Sequence, residues 1–157
     1  MKKLLLSSAI LAIFAGSSMI IVGLWAISFT YSNIVRENIT TPSDASIPNA
    51  PVRGPLTLMS QAEVIRHHTL QSTGGKTFSE MPRQIEKLDQ NGNKILNASG
   101  TPVMIPNTAR DIWITATTLM TALNLGIITY AFASLVIFFG LVSVWTGITF
   151  FALSRKY

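Results

Sequence analysis

Two long apolar stretches without charged residues constrain this chain more than any other feature. The first runs from Leu4 to about Phe29, and the second runs from Ile112 to Leu153. A bilayer core about 30 Å thick is crossed by an α-helix of about 20 apolar residues, and charged side chains are costly inside it. The two stretches therefore predict a membrane α-helical protein with two transmembrane helices.

The first stretch also permits a different interpretation, a cleaved signal peptide. Lys2 and Lys3 would form the basic start of such a peptide, and small residues between Ala12 and Ser17 would offer a cleavage site. The apolar sequence nevertheless continues to Trp25, which is well beyond the usual apolar length of about 7–15 residues in a signal peptide. We therefore expect a retained helix.

The second stretch is too long for a single crossing, because a helix of that length would be about 60 Å long. Its first part has apolar residues at helical spacing and polar residues elsewhere. We predict one continuous helix whose amphipathic start stands outside the bilayer and packs on the middle of the chain. Thr108 and Asp111 have the spacing of a capping box at its start. The apolar positions of the amphipathic part are Ile112, Ala116, Leu119, Met120, Leu123 and Ile127.

The distribution of charge predicts the orientation. The formal net charge is +5, and basic residues flank both apolar stretches at their outer ends, as is typical of cytoplasmic tails. We expect a multi-pass protein of the cell membrane with both termini in the cytoplasm. A basic patch on a folded face, as in a nucleic-acid-binding protein, is not indicated. The predicted divisions are a cytoplasmic tail (1–3), transmembrane helix 1 (4–29), an extracytoplasmic segment (30–111), an amphipathic extension (112–125), transmembrane helix 2 (126–152) and a second cytoplasmic tail (153–157).

The segment between the stretches predicts a small extracytoplasmic α+β lobe. Its prolines favour extended chain over residues 30–56. The capping-box pattern that begins at Ser60 predicts a helix to about Gln71, which the pair Gly74-Gly75 ends. Asn91-Gly92 predicts a hairpin between residues 87 and 96. The segment has too few apolar residues to form its own core, so we expect it to pack on the start of the second long helix.

Small residues recur every seven positions in both stretches. Seven residues make two helical turns, so each set lies on one face of its helix. Rows of small residues allow two helix backbones to approach closely in lipid. We therefore predict that the two helices pair through these residues: Ala9, Gly16, Gly23, Gly126, Ala133, Gly140 and Gly147.

The residues that most resemble a functional group lie on the predicted outer helix. His67 and His68 are the only histidines of the chain, and adjacent helical residues point about 100° apart, so they do not chelate one ion together. With Glu63 and Arg66 they form a candidate interaction surface. We predict no catalytic, cofactor-binding or metal-binding residue and no cofactor. The absence of cysteine excludes disulfides and thiolate chemistry.

The run from Gly54 to Pro82, with its Gln-Ala-Glu-Val-Ile and Thr-Gly-Gly-Lys-Thr-Phe motifs, resembles a family of small actinobacterial integral membrane proteins of unassigned function. The segment from Ile39 to Ala45 fits the same pattern. The resemblance implies two membrane spans, and members of this family often carry the label of an aromatic ring-opening dioxygenase. That chemistry requires non-haem iron, which is commonly held by two histidines and a carboxylate, and here the histidines are adjacent.

These observations favour a non-enzymatic accessory or scaffold subunit whose outer lobe contacts a partner. The expected partners are the lipid bilayer and either another membrane protein or a second copy of the chain. An alternative is a membrane sensor or ligand-binding protein that acts through a partner. A metal-dependent enzyme is the least favoured hypothesis.

Overall fold

The computed structural model describes residues 1–156 and is mostly helical. It confirms two long helices that are apolar and long enough to cross a membrane, together with a small sheet of two strands. The elements in chain order are α1 (Lys2–Arg36), α2 (Pro55–Ser72), a short 3-10 helix (Phe78–Glu80), β1 (Gln84–Glu86), β2 (Met104–Pro106) and α3 (Thr108–Ser154).

The second long helix, α3, is continuous over 47 residues, as predicted, which makes it about 70 Å long. Its cap differs from the prediction by one position. Asn107 precedes the helix, and its side chain accepts a hydrogen bond from the Ala109 backbone N–H at 3.2 Å. Thr108 is already helical. The cap falls on Asn107 because asparagine is a stronger N-cap than threonine.

The first long helix, α1, continues beyond the apolar stretch to Arg36. The expectation of extended chain was therefore wrong for residues 30–36. The helix persists because Thr30 is buried and Ile34 packs against the apolar core of the molecule. Glu37 is its C-cap, and Asn38 then adopts a positive φ of 49°, a conformation that asparagine tolerates better than most residues.

The helix predicted between the two long helices, α2, starts at Pro55 and not near Ser60, so the predicted start was wrong. Proline suits the first position of a helix, where its missing N–H is not needed. The Thr57 hydroxyl accepts hydrogen bonds from the backbone N–H groups of Arg53 at 3.0 Å and Gly54 at 3.2 Å. The predicted end is confirmed, since α2 stops at Ser72, directly before the glycine pair 74–75.

Ser60 does not cap α2 as predicted, but forms hydrogen bonds with the loop that precedes the helix. It is 2% exposed within α2. Its hydroxyl accepts hydrogen bonds from the Ile47 N–H at 2.9 Å and from the Ser46 hydroxyl at 3.0 Å. The loop that precedes α2 is thereby fixed to the helix.

The sheet is part of a short antiparallel meander over residues 84–106. Ile85 lies opposite Ile105 in the β1–β2 ladder. The predicted turn at Asn91-Gly92 is present, with Gly92 at a φ of 83°, but the predicted hairpin strands are reduced to one bridge between Leu88 and Lys94. The Ile95 N–H still donates to the Lys87 carbonyl oxygen at 2.9 Å across the hairpin. The chain then turns again at residues 97–100, and β1 forms its ladder with β2 farther along the chain.

The apolar core lies where α2, α3 and the end of α1 meet. It consists of Val52, Leu58, Ala62, Leu123 and Tyr130. Three of these belong to the segment before α3 and two belong to α3, so the lobe has no separate core. This position follows from the small number of apolar residues in the lobe.

The predicted apolar stripe on the start of α3 is wider than the surface that α2 covers. Ala116 and Leu123 are buried, whereas Ile112 is 46% and Leu119 is 50% exposed. An apolar strip of α3 therefore remains uncovered beside α2.

Candidate functional site

The small residues of α1 and α3 lie against each other in an antiparallel register. A Cβ atom added to Gly140 would lie 2.8 Å from the carbonyl oxygen of Gly16, and one added to Gly147 would lie 2.9 Å from that of Ala9. A Cβ on Gly23 would lie 3.1 Å from the carbonyl oxygen of Ala133. Contacts under 3.0 Å are too close for a side chain, so this packing requires glycine at positions 140 and 147.

Each glycine in this interface receives a branched apolar side chain from the other helix. Ile20 lies against Gly140 and Ile13 lies against Gly147. In the opposite direction, Val144 lies against Gly16. The branched residue follows a small residue of its own helix by four positions, so both lie on one face. The two helices therefore interlock in both directions.

Gly126 has a different neighbour from the other predicted pairing residues. A Cβ atom there would lie 3.1 Å from Leu58 Cδ1 of α2 and 3.7 Å from Ile34 Cδ1 of α1. Because Gly126 has no side chain, Leu58 of the lobe can pack directly against the pair of long helices. Thr30 and Ser154 are also buried and continue the seven-residue rows on α1 and α3, although they were not predicted to pair.

A hydrogen bond also joins the two long helices. The Ser143 hydroxyl donates to the carbonyl oxygen of Ala12 at 2.9 Å. This contact was not predicted, although a serine inside an apolar stretch is a recognisable signal for interhelical hydrogen bonding. The bond places the two residues beside each other at the edge of the interface.

The lobe between α1 and α3 is fixed to α3 at two further points. The Tyr130 hydroxyl donates to the Arg53 carbonyl oxygen at 2.9 Å, just before α2 begins. At the other end of the lobe, the Arg110 guanidinium donates to the carbonyl oxygens of Phe78 and Met81 and stacks over the Phe78 ring at 3.7 Å. The lobe is thus held along the start of α3.

Three of the four predicted interaction residues point away from this attachment. Glu63, Arg66 and His67 are exposed on α2. The side-chain amide of Gln71 donates to His67 Nε2 at 3.0 Å. The outward face of α2 therefore presents charged and polar side chains to solvent.

The fourth residue, His68, contacts the loop before α2. Its Nε2–H donates to Asp44 Oδ2 at 2.6 Å. That hydrogen bond is the main reason that the pKa of Asp44 lies below its ordinary value, and desolvation opposes the shift to a smaller extent. Asp44 also lines a cavity of about 330 Å³, together with Glu63 and His67.

The two histidines do not converge on one point. Their ring centroids are 6.2 Å apart and the rings are tilted by 53°. Within residues 1–156, no three His, Asp or Glu side chains are grouped closely enough to hold a metal ion. The histidines instead have separate partners, Gln71 and Asp44.

A groove lies where the end of α1 meets α2 and α3, and we call it the Gln61 groove. Its volume is about 470 Å³, and most of its surface is apolar. Gln61 Oε1 is buried in this region and has no hydrogen-bond partner within residues 1–156. The groove could not be predicted from the sequence, because its walls come from three separate parts of the chain. They are formed by Asn33, Ile34, Glu37, Ile39, Leu58, Gln61, Ile65, Leu119, Ala122 and Leu123.

Comparison with protein-family models, with curated proteins and with solved structures finds no match. The resemblance to actinobacterial membrane proteins therefore stays a prediction, and the function of this chain has to be inferred from its own geometry.

Proposed function

We propose that this protein is an integral membrane protein that crosses the cell membrane twice and acts as a non-enzymatic accessory or scaffold subunit. In this proposal both termini lie in the cytoplasm, and the lobe outside the cell binds another membrane protein.

The proposal of membrane insertion is supported by the outward faces of the helix pair. Large apolar side chains project there, including Phe14, Trp25, Phe132 and Trp145, which are between 65% and 74% exposed. A soluble monomer rarely exposes a continuous apolar surface of this extent. A bilayer would cover it, while the interlocked glycines keep the two helices together.

The observation that carries the proposed role is the placement of α2. One side of α2 is anchored in the core through Leu58 and Ala62. Between its buried positions α2 leaves Glu63, Arg66 and His67 exposed. A surface held rigidly before binding loses little conformational entropy when a partner docks. The outward face of α2 is therefore suited to recognition of a protein.

The Gln61 groove favours a second candidate function, a ligand-binding protein that acts through a partner. Its volume lies within the range of small-molecule sites, about 300–1,000 Å³.

The membrane topology is tested by labelling single cysteines in intact cells, which the absence of native cysteine makes simple. Gln90→Cys lies at the tip of the meander, and Lys156→Cys lies beyond the end of α3. We expect a membrane-impermeant maleimide to label the first variant before lysis and the second after lysis. Labelling of Lys156→Cys in intact cells, or recovery of the chain in the soluble fraction, would contradict the topology.

The partner is tested with a photo-crosslinking amino acid at Arg66 in native membranes, with Lys87 in the meander as an exposed control position. We expect one discrete adduct from position 66 and none of that mass from position 87. Glu63→Lys, introduced into the same chain, should abolish the adduct without changing membrane insertion. Identical adduct patterns from the two positions would show that α2 is not the specific contact surface. An adduct of twice the chain mass would identify a second copy as the partner.

A further inference from the structure

We propose that an amphipathic α-helix of a partner protein docks against the start of α3, in line with α1. The partner helix carries apolar residues at steps of three and four, and it carries lysine or arginine near both of its ends. This inference rests on the proposed role as a subunit that contacts a partner, and it adds a contact surface separate from the outward face of α2.

The face of α3 that α1 covers continues past the end of α1. Residues seven apart lie close to one face of a helix, and Ala133 and Gly140 on this face pack against α1. Further steps of seven lead to Leu119 and Ile112, which are 50% and 46% exposed. They are uncovered because α1 ends at Arg36. A helix that follows α1 in space would therefore extend an interface that the chain already forms.

Two adjoining cavities show that this uncovered face lies in a groove. One is the Gln61 groove. The other has a volume of about 590 Å³ and lies between residues 65–72 of α2 and residues 108–119 of α3. Ile65 and Leu119 line both cavities, and we call the two together the α2–α3 groove. It follows α3 over residues 108–123, a length of about 23 Å, which a helix of about 15 residues would fill.

The spacing of the residues that line the α2–α3 groove suits a helical occupant. On α2 they include Leu58, Gln61 and Ile65, and on α3 they include Thr115 and Leu119. Steps of three and four keep each row on one side of its helix. Two such rows side by side form holes into which the side chains of a third helix fit. Most of the groove surface is apolar, so its burial against an apolar helix face is favourable.

The charges in the groove indicate the chemistry of the two ends of the partner helix. Glu37 lines the Gln61 groove and Asp111 lines the other cavity, and no lysine or arginine lines either one. Neither carboxylate forms an ion pair within residues 1–156. The dipole of α3 favours Asp111 in its first turn, but the dipole of α1 disfavours an acid at its C-cap, which is Glu37. The histidine in the lining, His68, already contacts Asp44. Basic side chains on the partner would complement both carboxylates.

A second copy of the chain suits this groove less well than a helix of another protein. In each copy α1 and α3 are packed against each other, and α2 is anchored in the core through Leu58, so the copy has no unpacked long helix to insert. Two grooves that face each other about a two-fold axis would bring acidic surfaces together. Like charges across an interface repel, which disfavours that arrangement.

The first test places a photo-crosslinking amino acid at Leu119 of the full chain in native membranes. Thr121 is the control position, because it is exposed and lies about 200° around α3 from Leu119. We expect one discrete protein adduct from position 119 and none from position 121. Mass spectrometry of the cross-linked peptide should identify a partner segment with the apolar spacing and the basic ends described above. The absence of a protein adduct, an adduct of twice the chain mass, or a partner segment without this pattern would overturn the proposal.

A second measurement tests the charges. The probe is a fluorescent synthetic peptide with the sequence of the cross-linked segment, titrated with the full chain in phosphatidylcholine nanodiscs, and empty nanodiscs report its binding to lipid. The double variant Glu37→Gln with Asp111→Asn should weaken binding about tenfold at low salt, because two ion pairs are lost. The difference should disappear at about 1 M salt, where charges are screened within about 3 Å.

The control for this measurement is the double variant Gln90→Lys with Thr121→Lys. It changes the net charge by the same amount at two exposed positions outside the groove, and it should bind the peptide as the native chain does. Equal affinity of the two double variants would overturn the proposal, as would a loss of affinity that persists at high salt.

The outcomes separate this inference from the proposed function. A partner adduct at Arg66 without one at Leu119 would overturn the groove contact alone. The absence of an adduct at both positions would overturn the proposed function as well. An adduct at Leu119 alone, with the expected partner segment, would support the groove contact and would contradict the outward face of α2 as the contact surface.

Discussion

Gly16 and Gly140 lie backbone to backbone where α1 and α3 pack. A Cβ atom on Gly140 would lie 2.8 Å from the Gly16 carbonyl oxygen, so neither helix has room for a side chain at this point. Such close approach brings Cα–H groups within reach of carbonyl oxygens across the interface and increases van der Waals contact. The close packing of α1 against α3 therefore depends on these glycines.

Replacement of Gly16 by leucine should destabilise the helix pair. The new Cβ would lie 2.8 Å from the Val144 backbone N–H nitrogen, and backbone cannot move aside as a side chain can. We expect the free energy of unfolding in mild detergent to fall by about 3 kcal/mol, the upper range for overpacked cores. Ala15→Leu is the control, because Ala15 is exposed on the same helix. Equal stability of the two variants would contradict the observed register.

The register itself is tested by disulfide cross-linking. Ser143 and Ala12 lie side by side, joined by a 2.9 Å hydrogen bond. The double variant Ala12→Cys with Ser143→Cys should cross-link rapidly under mild oxidation, which is detected as a shift in gel mobility. Ala15→Cys with Ser143→Cys should stay reduced, because the exposed face of α1 points away from α3. Cross-linking of the control pair at the same rate would exclude this arrangement.

Removal of the Tyr130 hydroxyl should loosen the lobe. In Tyr130→Phe the Arg53 carbonyl loses its hydrogen bond of 2.9 Å, and we expect a loss of about 1 kcal/mol in unfolding free energy. Hydrogen exchange at the start of α2 should increase as well. Tyr31→Phe is the matched control, since Tyr31 is 43% exposed. Unchanged exchange in Tyr130→Phe would show that this bond does not hold the lobe.

The contact between Asp44 and His68 should make the stability of the lobe depend on pH. The folded-state pKa of Asp44 lies below its ordinary value of 3.8, chiefly because His68 donates a hydrogen bond to it. A lowered pKa means that the stabilisation is present above that ordinary value and is lost as the pH falls through the folded-state pKa. We expect Asp44→Asn to be less stable than the native chain near pH 6, with the difference shrinking below pH 3.8 and disappearing once the pH falls below the folded-state pKa of Asp44. A difference that persists in acid would show that ionisation of Asp44 is not its cause. Ser43→Ala in the same exposed loop serves as the control.

Much of the secondary structure could be predicted because its signals are local. The existence of α1 and α3 follows from uncharged apolar runs, although both helices extend beyond those runs. The end of α2 follows from two glycines, which adopt φ values of 63° and 78°. The turn at Asn91-Gly92 follows from the ability of glycine to adopt positive φ. Each of these features depends on neighbours in the chain and not on distant contacts.

The starts of helices were harder to predict, because tertiary contacts compete for the same residues. Ser60 has the sequence pattern of a cap, but its hydroxyl accepts from Ile47 and Ser46 within the folded lobe. The residues that do begin α2 are Gly54, Pro55 and Thr57, whose pattern also suits a turn. The local sequence therefore does not distinguish the start of a helix from a turn.

By itself the sequence determined that two long helices form and that small residues recur on one face of each, because helix periodicity is a property of a single segment. The tertiary structure alone decided which small residues meet. It placed Gly140 on Gly16 but Gly126 beneath Leu58, and it left Gln61 facing a groove built from three helices. Those outcomes depend on register and on the direction in which elements pack, and both are set by contacts between residues that are distant in the chain.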